Sequence, residues 1–414
     1  MPNDRIPKLG RGQVALFVGT AKGMFVLRSR ADRKSWSVAG PAFAGEQVAA
    51  LALDPRDGRL YVASQSWHWG TTIRTSDDLG VTWSDPASSV LKFPEDTGLA
   101  MQQVWQIQPG RASEPGVVYA GVAPAALFRS ADRGASWEMI RGLHDHPHRE
   151  RWMPGFGGLC LHTIVPDPTR PERLTVAISA AGVYRTDDGG ATWHARNTGV
   201  RAQFLPDPHP EFGQCVHKIV QHPRRPDTLF LQNHWGLYRS DDGGDSWRDI
   251  ARGVPSDFGF CMAIHPHDPD VVYIVPLESD GYRCTPEGRL RVYRTRDGGG
   301  KWEALGEGLP QANAHETVLR DAMCTDALNP AGVYFGTRSG KVYASADGGA
   351  HWQCAVDGLP QVLCVRAAYL GDPAKASVGP AKRAAKPAPR ARRAPAAKKK
   401  RAVAPARRRK AARA

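Results

Sequence analysis

Apolar residues enter this chain in short bursts, and polar residues answer at nearly every second position. "VALFVGT", "CVHKIVQHP", "DTLFLQNH" and "GLYRS" are typical, with Gly, Pro, Asn or Asp in the turns around them. A period of two over four to eight residues, with turn formers between, predicts half-buried β-strands. No stretch carries the stripe of an amphipathic helix. The pattern predicts an all-β protein.

One polar phrase recurs between the strands. "SDDGGDSW" (240–247) returns as "SDDLGVTW" (76–83), "SADRGASW" (130–137), "TDDGGATW" (186–193), "TRDGGGKW" (295–302) and "SADGGAHW" (345–352), with a decayed copy, "SRADRKSW", at 29–36. The closing tryptophans are Trp36, Trp83, Trp137, Trp193, Trp247, Trp302 and Trp352, spaced 47 to 56 residues apart. The third-position carboxylates Asp78, Asp132, Asp188, Asp242, Asp297 and Asp347 are expected to accept backbone N–H groups two residues on, as in an Asx turn. Glycine at the fifth position permits positive φ, and the tryptophan plugs the next strand. These residues are read as structural staples between third and fourth strands. Four strands repeated seven times match a seven-bladed β-propeller of four-stranded antiparallel blades. The first copy lacks an innermost strand, so residues 361–370 ("QVLCVRAAYL") are expected to complete the blade begun by 14–38.

With these octets the chain resembles the BNR or Asp-box propellers, the repeat class of sialidases, xyloglucanases and sortilin-type receptors. It is similar in particular to single-propeller bacterial proteins called BNR-repeat glycosyl hydrolases, over about residues 12–370. Sialidases carry an Arg-Ile-Pro motif before the first blade, whose arginine helps to clamp a substrate carboxylate; Arg5, Ile6 and Pro7 match it. Their acid/base aspartate lies in a first-blade loop, which here reads "TAKGM" and has no carboxylate. Xyloglucanases of this class use a cleft between two propellers, and one is predicted here. The resemblance speaks for fold more than for activity.

If the octets share a face with the short first-to-second turns, the long connections gather on the opposite face, where binding is expected. Counting six positions back from the proline ending each innermost strand selects Ala49, Gln103, His162, His217, Phe260 and Cys324 as neighbours of the channel mouth. Arg320 and Asp321 should enter at the same rim. "SWHWG" (with His68) and "QNHWG" (with His234 and Trp235) add aromatic and polar groups suited to a carbohydrate. "HDHPH" (144–148) raises a metal site, but Pro147 and the loop context weigh against it, and no metal or cofactor is expected.

Two functions remain. One is a propeller binding a glycan or a protein partner through Gln103, His162, His217, His234, Trp235, His68, Arg320 and Asp321. The other is a glycoside hydrolase with carboxylates drawn from Glu278, Asp280, Glu287, Glu316 and Asp321, of which Asp321, Glu278 and Glu316 are the candidates kept.

Charge changes the picture only at one end. The chain carries a formal net charge of +14, yet the stretch from residue 374 to 414 holds 16 Lys or Arg and no acid, which leaves 39 basic against 41 acidic residues elsewhere. This Ala/Pro/Lys/Arg tail resembles histone H1-like tails and is expected to be disordered and to attach to nucleic acid without sequence preference. Seven cysteines without CxxC spacing read as reduced core thiols, and no run suits a signal peptide or membrane span. The expected organisation is an extension (1–11), a propeller (12–372) and a tail (373–414) in a cytoplasmic monomer, held near the nucleoid if the tail binds DNA.

Overall fold

The computed structural model describes residues 6–67, 70–85 and 91–376. Seven antiparallel sheets follow one another along the chain, six of four strands and one of three among the described residues. The inner strands touch in an unbroken circuit. Gln47–Leu53 meets Gln103–Pro109, then Cys160–Pro166, Val216–His222, Phe258–Ile264, Met323–Thr325 and Val362–Tyr369, which returns to Gln47–Leu53. Seven blades therefore close a ring. Closure follows the expected route, since Val362–Tyr369 pairs with Gln13–Thr20 as the inner strand of the first blade. No helix among the described residues is long and apolar enough to cross a membrane.

The octets form the expected turns with a different bond pattern. Ser76 Oγ donates to Asp78 Oδ1 (2.8 Å) and accepts from the Gly80 amide (2.7 Å). Asp78 in turn accepts the amide and hydroxyl of Thr82, four residues on, at 2.8 and 2.7 Å. The reach is thus four residues rather than two, because the positive φ of Leu79 (61°) and Gly80 (98°) curls the chain around the carboxylate. The same lattice surrounds Asp132, Asp188 and Asp242. Lys301 and His351 replace the hydroxyl residue at Asp297 and Asp347. The Thr82 amide holds the Asp78 carboxyl down to about 2.

Arginines bolt this face together between blades. Arg56 reaches the carbonyls of Arg111, Glu114 and Val117, and Arg111 reaches those of Asp167 and Arg173. The decayed octet takes part as well. Arg33 occupies the place of the fifth-position glycine with φ 55°, and its guanidinium pairs with Asp326 of the last blade at 3.2 Å. Both side chains are fully buried.

Candidate functional site

On the opposite face the blades leave a cavity of about 1180 Å³ at the channel mouth. Its walls come from the connections that the sequence singles out. They include residues of the blade-to-blade segments (151 and 153–157, 204–207, 319–321), second-to-third turns (His234, Trp235, Asp280, Arg283, Arg338) and inner-strand ends.

A backbone irregularity aims the inner-strand residues. In six blades the register between first and second strands slips, and Leu363, Ala49, Trp105, His162, His217 and Phe260 lie at the slip. Such a bulge turns a side chain out of the regular alternation. In the seventh blade Tyr334 pairs with Cys324 as Tyr61 pairs with Ala52, which makes Asp321 the equivalent of Ala49. Proline counting thus selects the right residue in four blades and misses in two. Pro109 follows its bulge by four residues, where Pro55, Pro168, Pro223 and Pro266 follow theirs by six, so Trp105 rather than Gln103 holds the bulge. Pro330 follows a longer turn, so Asp321 holds the place assigned to Cys324. Gln103 still lines the cavity, and its Oε1 faces Gln47 Nε2 at 3.4 Å.

Five of the predicted ligand residues besides Asp321 can be placed on the wall: Gln103, His217, His234, Trp235 and Arg320. His162 departs from expectation. It is fully buried behind the wall, with Nδ1 against the Thr163 hydroxyl at 3.1 Å and Nε2 without a partner among the described residues. His68 and Arg5 lie outside the described residues, while Ile6 is buried in the core under the first two blades.

The carboxylate candidates separate clearly. Asp321 accepts Lys218 Nζ at 2.7 Å and Arg366 at 3.0 Å. Burial alone would raise its pKa, but the two cations outweigh it and hold the carboxyl well below the ordinary range. That is the reverse of what a general acid needs. Glu316 is buried on Ser339 and Lys341 and does not reach the cavity. Glu278 is exposed and off the wall, as is Glu287, which pairs with Arg289. Asp280 and Asp207 do line the cavity, are exposed, and pair with no lysine or arginine among the described residues.

Arginine–aromatic stacking shapes the rest. Arg320 lies 5.1 Å from the Trp105 ring and 5.7 Å from Phe260, and Arg283 lies 5.5 Å from both Phe156 and Phe260. Phe156 is 91% exposed and Phe204 47%, so the rim presents bare aromatic faces. Sequence reasoning missed Trp105, Phe156 and Phe204, because isolated aromatics in long connections carry no periodic signal.

Two histidine clusters have contrasting surroundings. Of the first, His146 and His148 are drawn into packing: His146 Nε2 contacts the Trp193 carbonyl, its Nδ1 takes the His148 amide, and His148 bonds Tyr184 and stacks on Phe212, while His144 Nδ1 is buried without a hydrogen-bond partner among the described residues. Cys215, His217 and His234, by contrast, bring one donor atom each within 4.8 Å of one another on the cavity wall. Burial pushes the pKa of His217 well below the usual imidazole value and lowers that of His234.

No family profile matches the chain. Among curated proteins it is 26% identical to the xyloglucanase Xgh74A of Acetivibrio thermocellus over 223 residues, 48% of this chain and 25% of that protein. It is also 26% identical to a xyloglucanase of a Paenibacillus species over 294 residues, 63% of this chain and 26% of the relative. The chain thus spans about a quarter of these relatives' length. Among solved structures, an ancestral GH74 enzyme superposes with TM-score 0.54 at 18% identity, covering 76% of this chain and 39% of that one. The GH74 enzyme of Niastella koreensis gives 0.52 at 15%, covering 85% and 55%. In sequence the chain is similar to part of these xyloglucanases, and it shares the propeller fold with the GH74 enzymes.

Proposed function

We propose that the chain is a carbohydrate-active propeller that engages an oligosaccharide in this cavity. The observation that carries the reading is the wall itself. Trp105, Trp235 and Phe204 offer flat apolar faces, and Gln103, Arg320 and Asp280 offer polar atoms beside them. Sugar rings need both, a C–H face to stack and hydroxyls to orient. The xyloglucanase relatives favour hydrolysis over binding alone.

Hydrolysis requires two carboxylates flanking the scissile bond. With Asp321 committed to Lys218 and Arg366, the wall leaves Asp207 and Asp280 for those roles. The test is release of reducing ends from xyloglucan and its oligosaccharides by the full-length protein, by Asp207→Asn and by Asp280→Asn. Turnover that falls by about 100-fold or more in both variants supports hydrolysis, since a positioned acid or base contributes on that order. Equal saccharide binding by all three proteins without turnover replaces hydrolysis by binding. Neither binding nor turnover ends the carbohydrate reading.

Residues 377–414 lie outside the described residues. For them the proposal remains non-specific attachment to nucleic acid, checked by steeply salt-dependent DNA retention that a chain ending at Asp372 lacks.

A further inference from the structure

We propose that Cys215, His217 and His234 form a three-ligand site for a divalent transition metal, zinc above all, with its remaining coordination position facing the cavity. The inference does not depend on the carbohydrate reading.

The donors stand close together. Cys215 Sγ lies 3.6 Å from His217 Nε2, near the edge of about 3.5 Å that a thiolate and an imidazole span around tetrahedral zinc. All three donors fit within 4.8 Å, so closure needs only small side-chain shifts. One sulfur and two imidazoles form a borderline-soft set suited to zinc rather than to calcium or magnesium. Three protein ligands with an open position is also the arrangement of zinc sites that present a water to a substrate.

The surroundings fix the orientation of each ligand. His217 Nδ1 donates to the Gly259 carbonyl at 2.6 Å, which leaves the Nε2 lone pair facing Cys215. His234 Nε2 lies 3.2 Å from Asp280 Oδ2, so a proton held there frees Nδ1 to ligate. A carbonyl and a carboxylate on the far nitrogens are what ligating histidines ordinarily carry. The two segments are tied as well, because the His234 amide donates to the Cys215 carbonyl at 3.0 Å. Asn233 clamps the turn through the carbonyls of Arg201 and Trp235. Phe258 and Phe260 pack against the two imidazoles at 5.0 and 4.7 Å and restrict water at their backs.

Binding converts the Cys215 thiol to a thiolate and releases its proton to solvent. The same residues without metal would hold an ordinary S–H···N contact, and the two states are separable. Full-length protein is stripped with a chelator and titrated with Co²⁺, and with Zn²⁺ against a chromophoric competitor. One equivalent should bind, with a near-ultraviolet thiolate-to-cobalt band and the intense visible bands of a tetrahedral site. Cys215→Ser should abolish the charge-transfer band, and His234→Gln should weaken Zn²⁺ by 10-fold or more. Asp280→Asn should weaken it by about 10- to 100-fold through loss of the orienting carboxylate. Cys354→Ser removes an exposed thiol elsewhere and should change nothing. Near-ultraviolet circular dichroism checks that each variant is folded; if Cys215→Ser is not, His234→Gln and Asp280→Asn decide. No stoichiometric binding, or binding that His234→Gln and Asp280→Asn leave unchanged, overturns the site.

Discussion

The two faces of this ring treat charge in opposite ways. On the octet face the carboxylates are consumed: each octet aspartate is wrapped by amides and hydroxyls, and arginines cross from blade to blade onto carbonyls and acids. On the open face charged and aromatic groups stand around a cavity of about 1180 Å³ with part of their bonding capacity unused. Asp207 and Asp280 stand exposed on its wall and pair with no lysine or arginine among the described residues. Groups satisfied within the protein maintain a shape, whereas polar groups left over beside apolar rings are available to something else. The difference assigns stability to one face and recognition to the other.

The largest effect that tests this division is expected at Arg33. Arg33→Ala leaves Asp326 buried without its cation and should cost about 3–5 kcal/mol in denaturant unfolding, the usual result of breaking a buried pair. Saccharide affinity of the folded fraction should not change. A loss below about 1 kcal/mol would remove the octet face from the centre of the stability account.

Asp321 sharpens the comparison because it stands on the open face yet behaves like the other one. Asp321→Asn leaves Lys218 and Arg366 facing each other and should cost about 3 kcal/mol. Its folded pKa lies below the unfolded value of about 3.9, so its contribution is complete above that pH and is lost as pH falls further. Wild-type stability should therefore drop below about pH 4 more steeply than that of the variant. Parallel acid profiles would contradict the pairing.

The smallest effect belongs to the rim. Trp235→Ala should weaken oligosaccharide binding by about tenfold, the worth of a lost aromatic face, and leave the unfolding midpoint within a degree or two. A variant that instead unfolds early would make Trp235 a packing residue.

The sequence displayed the architecture because the same physics is written seven times. An octet that must turn at one spot needs a small hydroxyl, an acid and glycine, and those letters repeat. Even the ring closure showed, since a first blade without an inner strand requires a partner at the other end. What stayed hidden depends on three-dimensional irregularity. Register slips decide which residue points to the channel, and a slip leaves no mark in an alternating pattern; proline counting therefore chose Gln103 over Trp105 and Cys324 over Asp321. Arg33 was hidden in a copy that had lost its aspartate and glycine. Cys215 read as a core thiol because its two imidazole neighbours come from a bulge and from a turn 19 residues along the chain.

The most direct test is amide hydrogen exchange of the full-length protein with and without saturating xyloglucan oligosaccharide. The account predicts added protection confined to residues 151–157, 204–215, 234–235 and 280–283, with the six octets unchanged. Protection centred on the octets, or none on those four segments at saturation, would contradict it.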